Sequence, residues 1–195
     1  MWLDLGCGTG HLAASLAGKG LRVIGADHDV EMGRFAAKRF QSAGRLSFLA
    51  SKAESLPFLD QSLDGVVAVS LAGCLSSPDL FFKEMYRVLR PKGRAIITFT
   101  NEESLCLKTD AFFWRFLGSK KSDEKYRLYA FKEADEKLRQ AGFAVRQVRY
   151  LNFFFNAGRF RIPPGRLVLS AERLSRTPMA SRLARNFILL AERLL

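Results

Sequence analysis

The amino-acid sequence predicts an α/β domain built around a largely parallel sheet, and three observations support this fold class. Apolar runs of four to eight residues alternate with amphipathic stretches along the first 150 residues. The chain of 195 residues is long enough to bury one substantial core. Three glycines, Gly6, Gly8 and Gly10, separate the first apolar run from the first amphipathic stretch. Glycines at that point are typical of a tight turn from a strand into a helix.

The apolar runs and amphipathic stretches give the expected elements. Six strands are predicted, at Trp2–Leu5, Arg22–Ala26, Leu46–Ala50, Gly65–Ser70, Arg94–Thr100 and Phe143–Tyr150. Four helices are predicted between them, at about His11–Lys19, Val30–Ala43, Pro78–Leu89 and Phe131–Ala141. Gly93 and Gly142 follow the last two helices, where glycine commonly ends a helix.

Two regions interrupt the alternation, and we interpret both as parts of a single domain covering residues 1–195 with its core at about 2–150. Residues 101–128 form a long aromatic-rich connection, which favours a substrate lid. Residues 151–195 form a basic C-terminal segment, in which Leu167–Leu174 has a helical pattern. The apolar run at residues 186–192 fits a helix or a strand, and we interpret it as the last strand.

Composition narrows the class of protein. A hydrophobic content of 48% with 26% charged residues is typical of a folded globular domain. No apolar stretch is long enough for a membrane-spanning helix, and no basic start or apolar run resembles a signal peptide. Cys7, Cys74 and Cys106 form no CxxC pair, and the chain has two histidines. We therefore expect reduced thiols, a cytoplasmic location and no metal site.

The charge is strongly basic and unevenly distributed. The formal net charge is +12, and residues 151–195 contribute half of it through eight arginines against two glutamates. Such a field attracts nucleic acid, acidic lipid headgroups or a phosphorylated substrate, and it also keeps a soluble protein dispersed.

The glycine turn predicts a nucleotide-like ligand. Its spacing is G-x-G-x-G, and His11 stands where a dinucleotide-binding turn has its third glycine, which weakens a nicotinamide or flavin interpretation. No G-x-x-x-x-G-K-[ST] segment is present, so a P-loop is excluded. Asp27 ends the next strand, 17 residues after Gly10. A carboxylate there accepts hydrogen bonds from both hydroxyls of a ribose.

Four segments resemble a known family in order and almost without gaps: LDLGCGTG, VIGADHDVEM, AESLPFLDQSLDGVV and FFKEMYRVLRPKGRAIITF. They are similar to the class I S-adenosylmethionine-dependent methyltransferases, and most of all to the type 11 group of small-molecule and quinone methylating enzymes. The resemblance covers about residues 2–150. It implies a Rossmann-like, doubly wound sheet of seven strands in the order 3-2-1-4-5-7-6, with strand 7 antiparallel. The family's N-terminal helices, which precede the first strand in relatives, are expected to be missing.

The resemblance also implies S-adenosylmethionine as cofactor and a set of binding residues. The Gly6–Gly10 loop and Asp4 would hold the methionine portion, Asp27 the ribose, and the strand end at Ser70 would pass below the sulfonium. His28, Met32, Ala53 and Glu54 would surround the adenine. The full predicted binding set is Asp4, Gly6, Cys7, Gly8, Gly10, Asp27, His28, Met32, Ala53, Glu54 and Ser70.

One departure from the family pattern bears on function. Lys52 stands where relatives usually carry an acid that accepts the adenine amino group. A lysine can only donate, so adenine must be held by backbone groups or stacking.

The expected reaction is methyl transfer by in-line displacement to a small-molecule or lipid-like acceptor. Because the chemistry depends on positioning, no catalytic residue is assigned. Tyr126 and Tyr129 are candidate bases or substrate contacts, and His11 is interpreted as a helix-terminal residue. The aromatic and arginine-rich segments are also compatible with peripheral membrane contact or with stacking on RNA. The alternatives are a non-catalytic or truncated cofactor-binding module, or an RNA or protein methyltransferase.

Overall fold

The structure, a computed structural model, describes residues 1–41, 44–109, 126–152, 156–157, 160–161 and 178–195. Its main sheet has seven strands: β1 Trp2–Leu5, β2 Val23–Asp27, β3 Leu46–Ala50, β4 Leu63–Ala68, β5 Leu89–Thr100, β6 Phe143–Leu151 and β9 Asn186–Arg193. Their order across the sheet is β3-β2-β1-β4-β5-β9-β6. Numbered within this sheet, the order is 3-2-1-4-5-7-6, so the predicted α/β topology is confirmed.

The four helices predicted between the strands are present among the described residues, and a further helix near the C-terminus was not predicted. They are α1 His11–Gly18, α2 Val30–Arg39, α3 Pro78–Val88, α4 Phe131–Gln140 and α5 Pro178–Leu183. A 3-10 turn covers Ala72–Cys74, and a short antiparallel pair joins β7 Asn156–Ala157 to β8 Phe160–Arg161. The first two helices pack on β1, β2 and β3, while α3 contacts β5 and α4 contacts β6.

The central strand β1 fixes where a ligand can bind. It pairs in parallel with β2 through Leu3 and Ile24, and with β4 through Leu3 and Val66. These central strands are largely buried, which explains their continuous apolar sequences. Because parallel strands end at the same edge, Leu5, Asp27 and Ala68 bring the ends of β1, β2 and β4 together. Ligands of open α/β sheets bind at this edge.

The last strand confirms the interpretation of residues 186–192 as a strand. It runs antiparallel between β5 and β6, with Ile97 opposite Leu189 and Val148 opposite the same leucine. Every second residue is buried, including Phe187 and Ala191. Period-2 burial against two neighbours is what a short apolar run needs to form a strand rather than a helix.

Several predicted boundaries are wrong, and the region around Leu89 shows why. The helix α3 ends at Val88, and β5 begins at Leu89 instead of Arg94. Gly93 therefore does not end the helix. Pro91 disfavours helical geometry at the residue before it, so the chain leaves the helix early. The left-handed residue of this turn is Lys92, with φ +64°.

The other differences are smaller. The strand β4 begins at Leu63 and ends at Ala68, so Ser70 lies beyond it. The helices α1 and α2 end at Gly18 and Arg39, earlier than predicted. The predicted helix at residues 167–174 and most of the predicted lid, residues 110–125, lie outside the described residues. No helix among the described residues is long and apolar enough to cross a membrane.

Candidate functional site

An open cleft of about 670 Å³ lies at the carboxyl ends of β1, β2 and β4. Six predicted binding residues line it, namely Gly6, Asp27, His28, Ala53, Glu54 and Ser70. The rest of the lining is Leu5, Ser51, Lys52, Val69, Leu71, Cys74, Leu75, Ser76, Ser77 and Leu80. Asp27 and His28, at the end of β2, and the polar residues of the 51–54 segment contribute polar lining. Leucines from the 71–80 segment contribute apolar lining.

The glycine turn is shaped by its own backbone hydrogen bonds. Gly6, Gly8 and Gly10 have φ values of +74°, +49° and +78°. Residues other than glycine rarely adopt this left-handed conformation. The N–H groups of Gly6 and Cys7 both donate to the carbonyl of Ala26, at 2.8 and 3.0 Å. Since these donors are already used, the turn does not resemble a phosphate-binding loop, which offers its N–H groups to the ligand.

The three glycines of the turn differ in what a Cβ atom would contact at each position. A Cβ on Gly10 would lie 2.7 Å from the Phe48 ring, so this glycine allows the turn to pack on β3. A Cβ on Gly6 would lie 3.1 Å from Leu71. Around Gly8, no described atom outside its chain neighbours lies within 4 Å of that position. Gly8 therefore faces open space, which fits a loop that a ligand approaches closely.

Asp27 connects the turn to the end of β2. The Gly8 N–H donates to Asp27 Oδ2 at 2.8 Å, and the Asp29 N–H donates to Asp27 Oδ1 at 3.0 Å. His28 Nδ1 lies 3.2 Å from the same Oδ1. An ionised carboxylate has about four acceptor positions, so it can still receive a hydroxyl from a ligand. The predicted ribose-binding carboxylate thus lies in the cleft wall with acceptor capacity left.

Asp4 lies beneath the turn and is almost fully buried, with 2% of its surface exposed. Its Oδ2 has no hydrogen-bond partner among the described residues. Burial raises the pKa of the Asp4 carboxyl to about 6; the Ala13 N–H lowers it and the Asp27 charge raises it. A buried carboxylate oxygen without a donor is costly in the free protein, and a cationic or N–H group of a ligand would satisfy it.

Five predicted binding residues lie outside the cleft lining: Asp4, Cys7, Gly8, Gly10 and Met32. Their roles in binding stay predictions. Met32 is on the first turn of α2, which Asp29 caps by accepting from the Glu31 and Met32 N–H groups. Burial and the carboxylates of Asp4 and Asp27 raise the pKa of the Cys7 thiol to about 12, so this thiol stays protonated.

The AESLPF segment is held by a single arginine of α3. Arg87 donates to the carbonyls of Leu56 and Phe58, at 2.9 and 2.8 Å, and pairs with Glu84 and Asp60. Glu84 in turn accepts from the Leu56 N–H at 2.8 Å. The segment and α3, two of the stretches that resemble the family, are thus joined by these hydrogen bonds. They hold the chain that follows Ala53 in the cleft wall.

The two tyrosines proposed as bases differ in position. Tyr129 is fully buried, and its hydroxyl donates to the Ala72 carbonyl at 3.1 Å. Burial also raises the pKa of Tyr129 to about 12, so its hydroxyl keeps its proton at neutral pH. Tyr126 is partly exposed beside the cleft, and its hydroxyl donates to the Ser70 carbonyl at 2.8 Å.

Sequence reasoning missed part of the wall. It did not identify Ser51, Val69, Leu75 or Leu80 as lining residues. The signal for the last two lies in the Ser-Ser-Pro sequence at residues 76–78, which marks the start of α3 beside the cleft.

The residues of this site lie in the part of the chain that is similar to known methyltransferases. The model of the family described as a methyltransferase domain matches residues 3–97, which contain the glycine turn, Asp27 and the 51–54 segment. A demethylmenaquinone methyltransferase of Clavibacter sepedonicus is 36% identical over 95 residues, covering 49% of this chain and 39% of that protein. A malonyl-[acyl-carrier protein] O-methyltransferase of a Marinomonas species is 35% identical over 115 residues, covering 57% and 42%. The matched part of the chain thus spans about two fifths of each relative.

Among solved structures, a SAM-dependent methyltransferase from Methanosarcina mazei superposes with a TM-score of 0.72 at 22% identity. The superposition covers 100% of this chain and 92% of the other, so the fold is shared over the whole sheet. The family's cofactor is S-adenosylmethionine, and the free space at Gly8, the unpartnered Asp4 oxygen and the Asp27 carboxylate fit it. Residues 3–97 therefore match the methyltransferase domain family, and the chain shares the fold of a SAM-dependent methyltransferase of known structure.

Proposed function

We propose that the protein transfers the methyl group of S-adenosylmethionine to a small-molecule or lipid-like acceptor. The observation that best supports this proposal is the arrangement of three residues, Asp4, Gly8 and Asp27, near the ends of β1 and β2. Asp27 has acceptor capacity left, Gly8 faces open space, and Asp4 presents a buried oxygen without a donor among the described residues. A ribose, a closely approaching chain and an ammonium group would satisfy these three features.

The proposed roles of the binding residues follow from their positions. Asp27 would bind the ribose hydroxyls, and Asp4 with the glycine turn would hold the methionine portion. The adenine would lie near His28, Ala53 and Glu54, with Met32 at the outer side. The cofactor supplies a methyl group already activated by the positive charge on sulfur.

The protein's own contribution is positioning and exclusion of water. Bringing two reactants into line can account for about 7–11 kcal/mol of a barrier, without any protein nucleophile. The Tyr126 hydroxyl is a hydrogen-bond donor in the described structure and not a base. We therefore propose an acceptor whose nucleophilic atom needs no strong base.

The nature of the acceptor is inferred from the apolar lining of the cleft. Val69, Leu71, Leu75 and Leu80 provide apolar surface next to Ser70, where the reacting atoms would meet. Two relatives carry names that refer to demethylmenaquinone and to a malonyl group on acyl-carrier protein. Both names are compatible with an apolar or carrier-linked small acceptor.

A labelling experiment tests the proposal. The chain is incubated with S-adenosylmethionine carrying a tritiated methyl group, together with separate lipid, polar small-molecule, RNA and protein fractions of the source cells. We expect label in the lipid or small-molecule fraction, and loss of label with Asp27→Asn. Label only in RNA or protein would contradict the proposed acceptor class.

A non-catalytic binding module is the second candidate, and Lys52 is the observation that favours it. Its exposed side chain lies in the cleft wall where the family usually has an acid. This candidate predicts that the cofactor binds while no fraction receives label. An RNA acceptor, favoured by the net charge of +12, predicts RNA binding that falls steeply as salt increases.

A further inference from the structure

The chain leaves β4 in a conformation that serine rarely adopts. Ser70 lies two residues beyond the end of β4 and has φ +56°, in the left-handed region that favours glycine. A residue with a side chain stays there only when its surroundings hold it. Because Ser70 and Leu71 line the cleft, whatever holds Ser70 also shapes the cleft.

Three neighbours contact the backbone of Ser70. Its N–H donates to Thr98 Oγ1 on β5 at 2.7 Å. Its carbonyl accepts from the Tyr126 hydroxyl at 2.8 Å, and the Cys74 sulfur lies 3.6 Å from the same oxygen. The tyrosine makes the shorter of the two contacts to this carbonyl, and it comes from a distant part of the chain.

Tyr126 and the residues that follow it contact the 70–74 turn and the end of β5. The Arg127 N–H donates to the Gly73 carbonyl at 2.8 Å, and the Tyr129 N–H donates to the Thr100 carbonyl at 2.9 Å. A Cβ on Gly73 would lie 2.5 Å from the Tyr126 ring and 2.8 Å from the Arg127 carbonyl oxygen. Gly73 thus leaves the space that the tyrosine ring occupies.

We infer that Tyr126 is a positioning residue for cofactor binding: its hydroxyl holds Ser70 in the left-handed conformation and so fixes the cleft floor at Ser70 and Leu71. This inference rests on the proposed function, since it concerns the cofactor cleft. The effect reaches the glycine turn because the Leu71 side chain packs 3.1 Å from where a Cβ of Gly6 would lie. A displaced Leu71 would alter the space beside that turn.

The tyrosine can serve this role at neutral pH because it keeps its proton. Burial raises the pKa of Tyr126, and the neighbouring Cys74 raises it further, against smaller lowering effects of Thr100 and Ser70. The hydroxyl is therefore available as a donor throughout the neutral range.

The test measures binding of S-adenosylhomocysteine, the demethylated product of the cofactor, by isothermal titration calorimetry. Tyr126→Phe removes the hydroxyl and keeps the ring, and we expect Kd to rise roughly fivefold, the worth of one net hydrogen bond. The matched control is Tyr150→Phe on β6, whose ring packs against Phe187 and which should bind like the wild type. The melting temperature of each free variant is recorded to show that folding is retained.

Two further variants separate positioning from a general loss of structure. In the background of Ser70→Gly, the residue adopts positive φ without help, so Tyr126→Phe should raise Kd by roughly twofold or less. Gly73→Ala should displace the Tyr126 ring, so that the hydroxyl is kept but moves away from the Ser70 carbonyl, and binding should weaken as in Tyr126→Phe.

The outcomes distinguish this inference from the proposed function. If the wild-type chain binds no S-adenosylhomocysteine, the proposed function fails. If the wild type binds and Tyr126→Phe binds equally well, the role of Tyr126 is refuted while the proposed function stands. An undiminished effect of Tyr126→Phe in the Ser70→Gly background would likewise overturn the positioning role.

Discussion

Asp4 illustrates how a single buried carboxyl group can reduce the stability of the fold. Its carboxyl is buried beneath the glycine turn, and one oxygen has no donor among the described residues. Its pKa of about 6 lies above the ordinary value of 3.8. Between these two values the folded state binds more protons than the unfolded state, so stability from this group falls as pH rises through that window. The cost is fully present above pH 6.

Because the buried Asp4 carboxylate lowers stability, we expect Asp4→Asn to stabilise the protein and to weaken ligand binding. At pH 7.5 the neutral amide should raise the free energy of unfolding by up to about 3 kcal/mol. The gain should shrink as pH falls from 6 towards 3.8, where the wild-type carboxyl becomes protonated. Urea denaturation at several pH values measures it, with the exposed Glu136→Gln as control. A gain independent of pH would refute this explanation.

At the residue scale, the sequence pointed to the residues with a distinctive chemical or backbone requirement, and it did not indicate the conformation of Ser70. Asp27 and the three glycines were identifiable because few other roles need a carboxylate and positive φ at that spacing. Met32 has ordinary uses on the first turn of a helix, so its contact with the adenine stays a prediction. The left-handed Ser70 could not be foreseen, because its conformation depends on Tyr126, 56 residues away in the chain.

At the scale of elements, the last strand stabilises a helix that ends about a hundred residues before it. Arg193 of β9 is buried and donates to the carbonyls of Tyr86, Arg87 and Leu89 at the C-terminus of α3. Its guanidinium also lies 4.1 Å from the centre of the Tyr86 ring. A cation at the end of a helix is stabilised by the helix dipole. The strand thus completes the end of the helix that carries Arg87.

Arg193→Ala should therefore destabilise the fold by about 2–4 kcal/mol, because several buried carbonyls lose their donor. Arg146→Ala on β6 is the matched control. Its guanidinium pairs with Glu192 at 3.0 Å with half of the side chain exposed. Such a pair contributes about 0–1 kcal/mol. Equal losses for the two variants in guanidinium chloride denaturation would show that Arg193 does not act as this cap.

Element types were easier to predict than element ends. The periodicity identified α3 and β5, but Gly93 was taken as the helix end because glycine is common there. The actual end at Val88 follows from Pro91 and from the pairing of Leu89 with Leu63, which tertiary structure decides. The last strand was ambiguous for the same reason, since its two neighbours, β5 and β6, are distant in sequence.

At the scale of the whole molecule, ligand binding and stability are coupled. A ligand that binds only the folded state at about 100 times its Kd adds about 2.7 kcal/mol of stability. For a domain of this size that corresponds to a rise in melting temperature of roughly 5–10 °C. S-adenosylhomocysteine should produce this shift in a thermal denaturation experiment.

The control ligand in that experiment is NAD⁺, which should leave the melting temperature unchanged. The N–H groups of Gly6, Cys7 and Gly8 are engaged by Ala26 and Asp27, so the turn offers few donors to a pyrophosphate. If NAD⁺ raised the melting temperature and S-adenosylhomocysteine did not, the cleft would be a dinucleotide site and the proposed cofactor would be wrong.

The most direct test of the central claim is the calorimetric titration of the wild-type chain and Asp27→Asn with S-adenosylhomocysteine. The wild type should bind one equivalent, and Asp27→Asn should bind at least about tenfold more weakly, since a charge-assisted hydrogen bond to the ribose is lost. Absence of binding by the wild type at millimolar ligand, or equal affinity of the two proteins, would contradict the account.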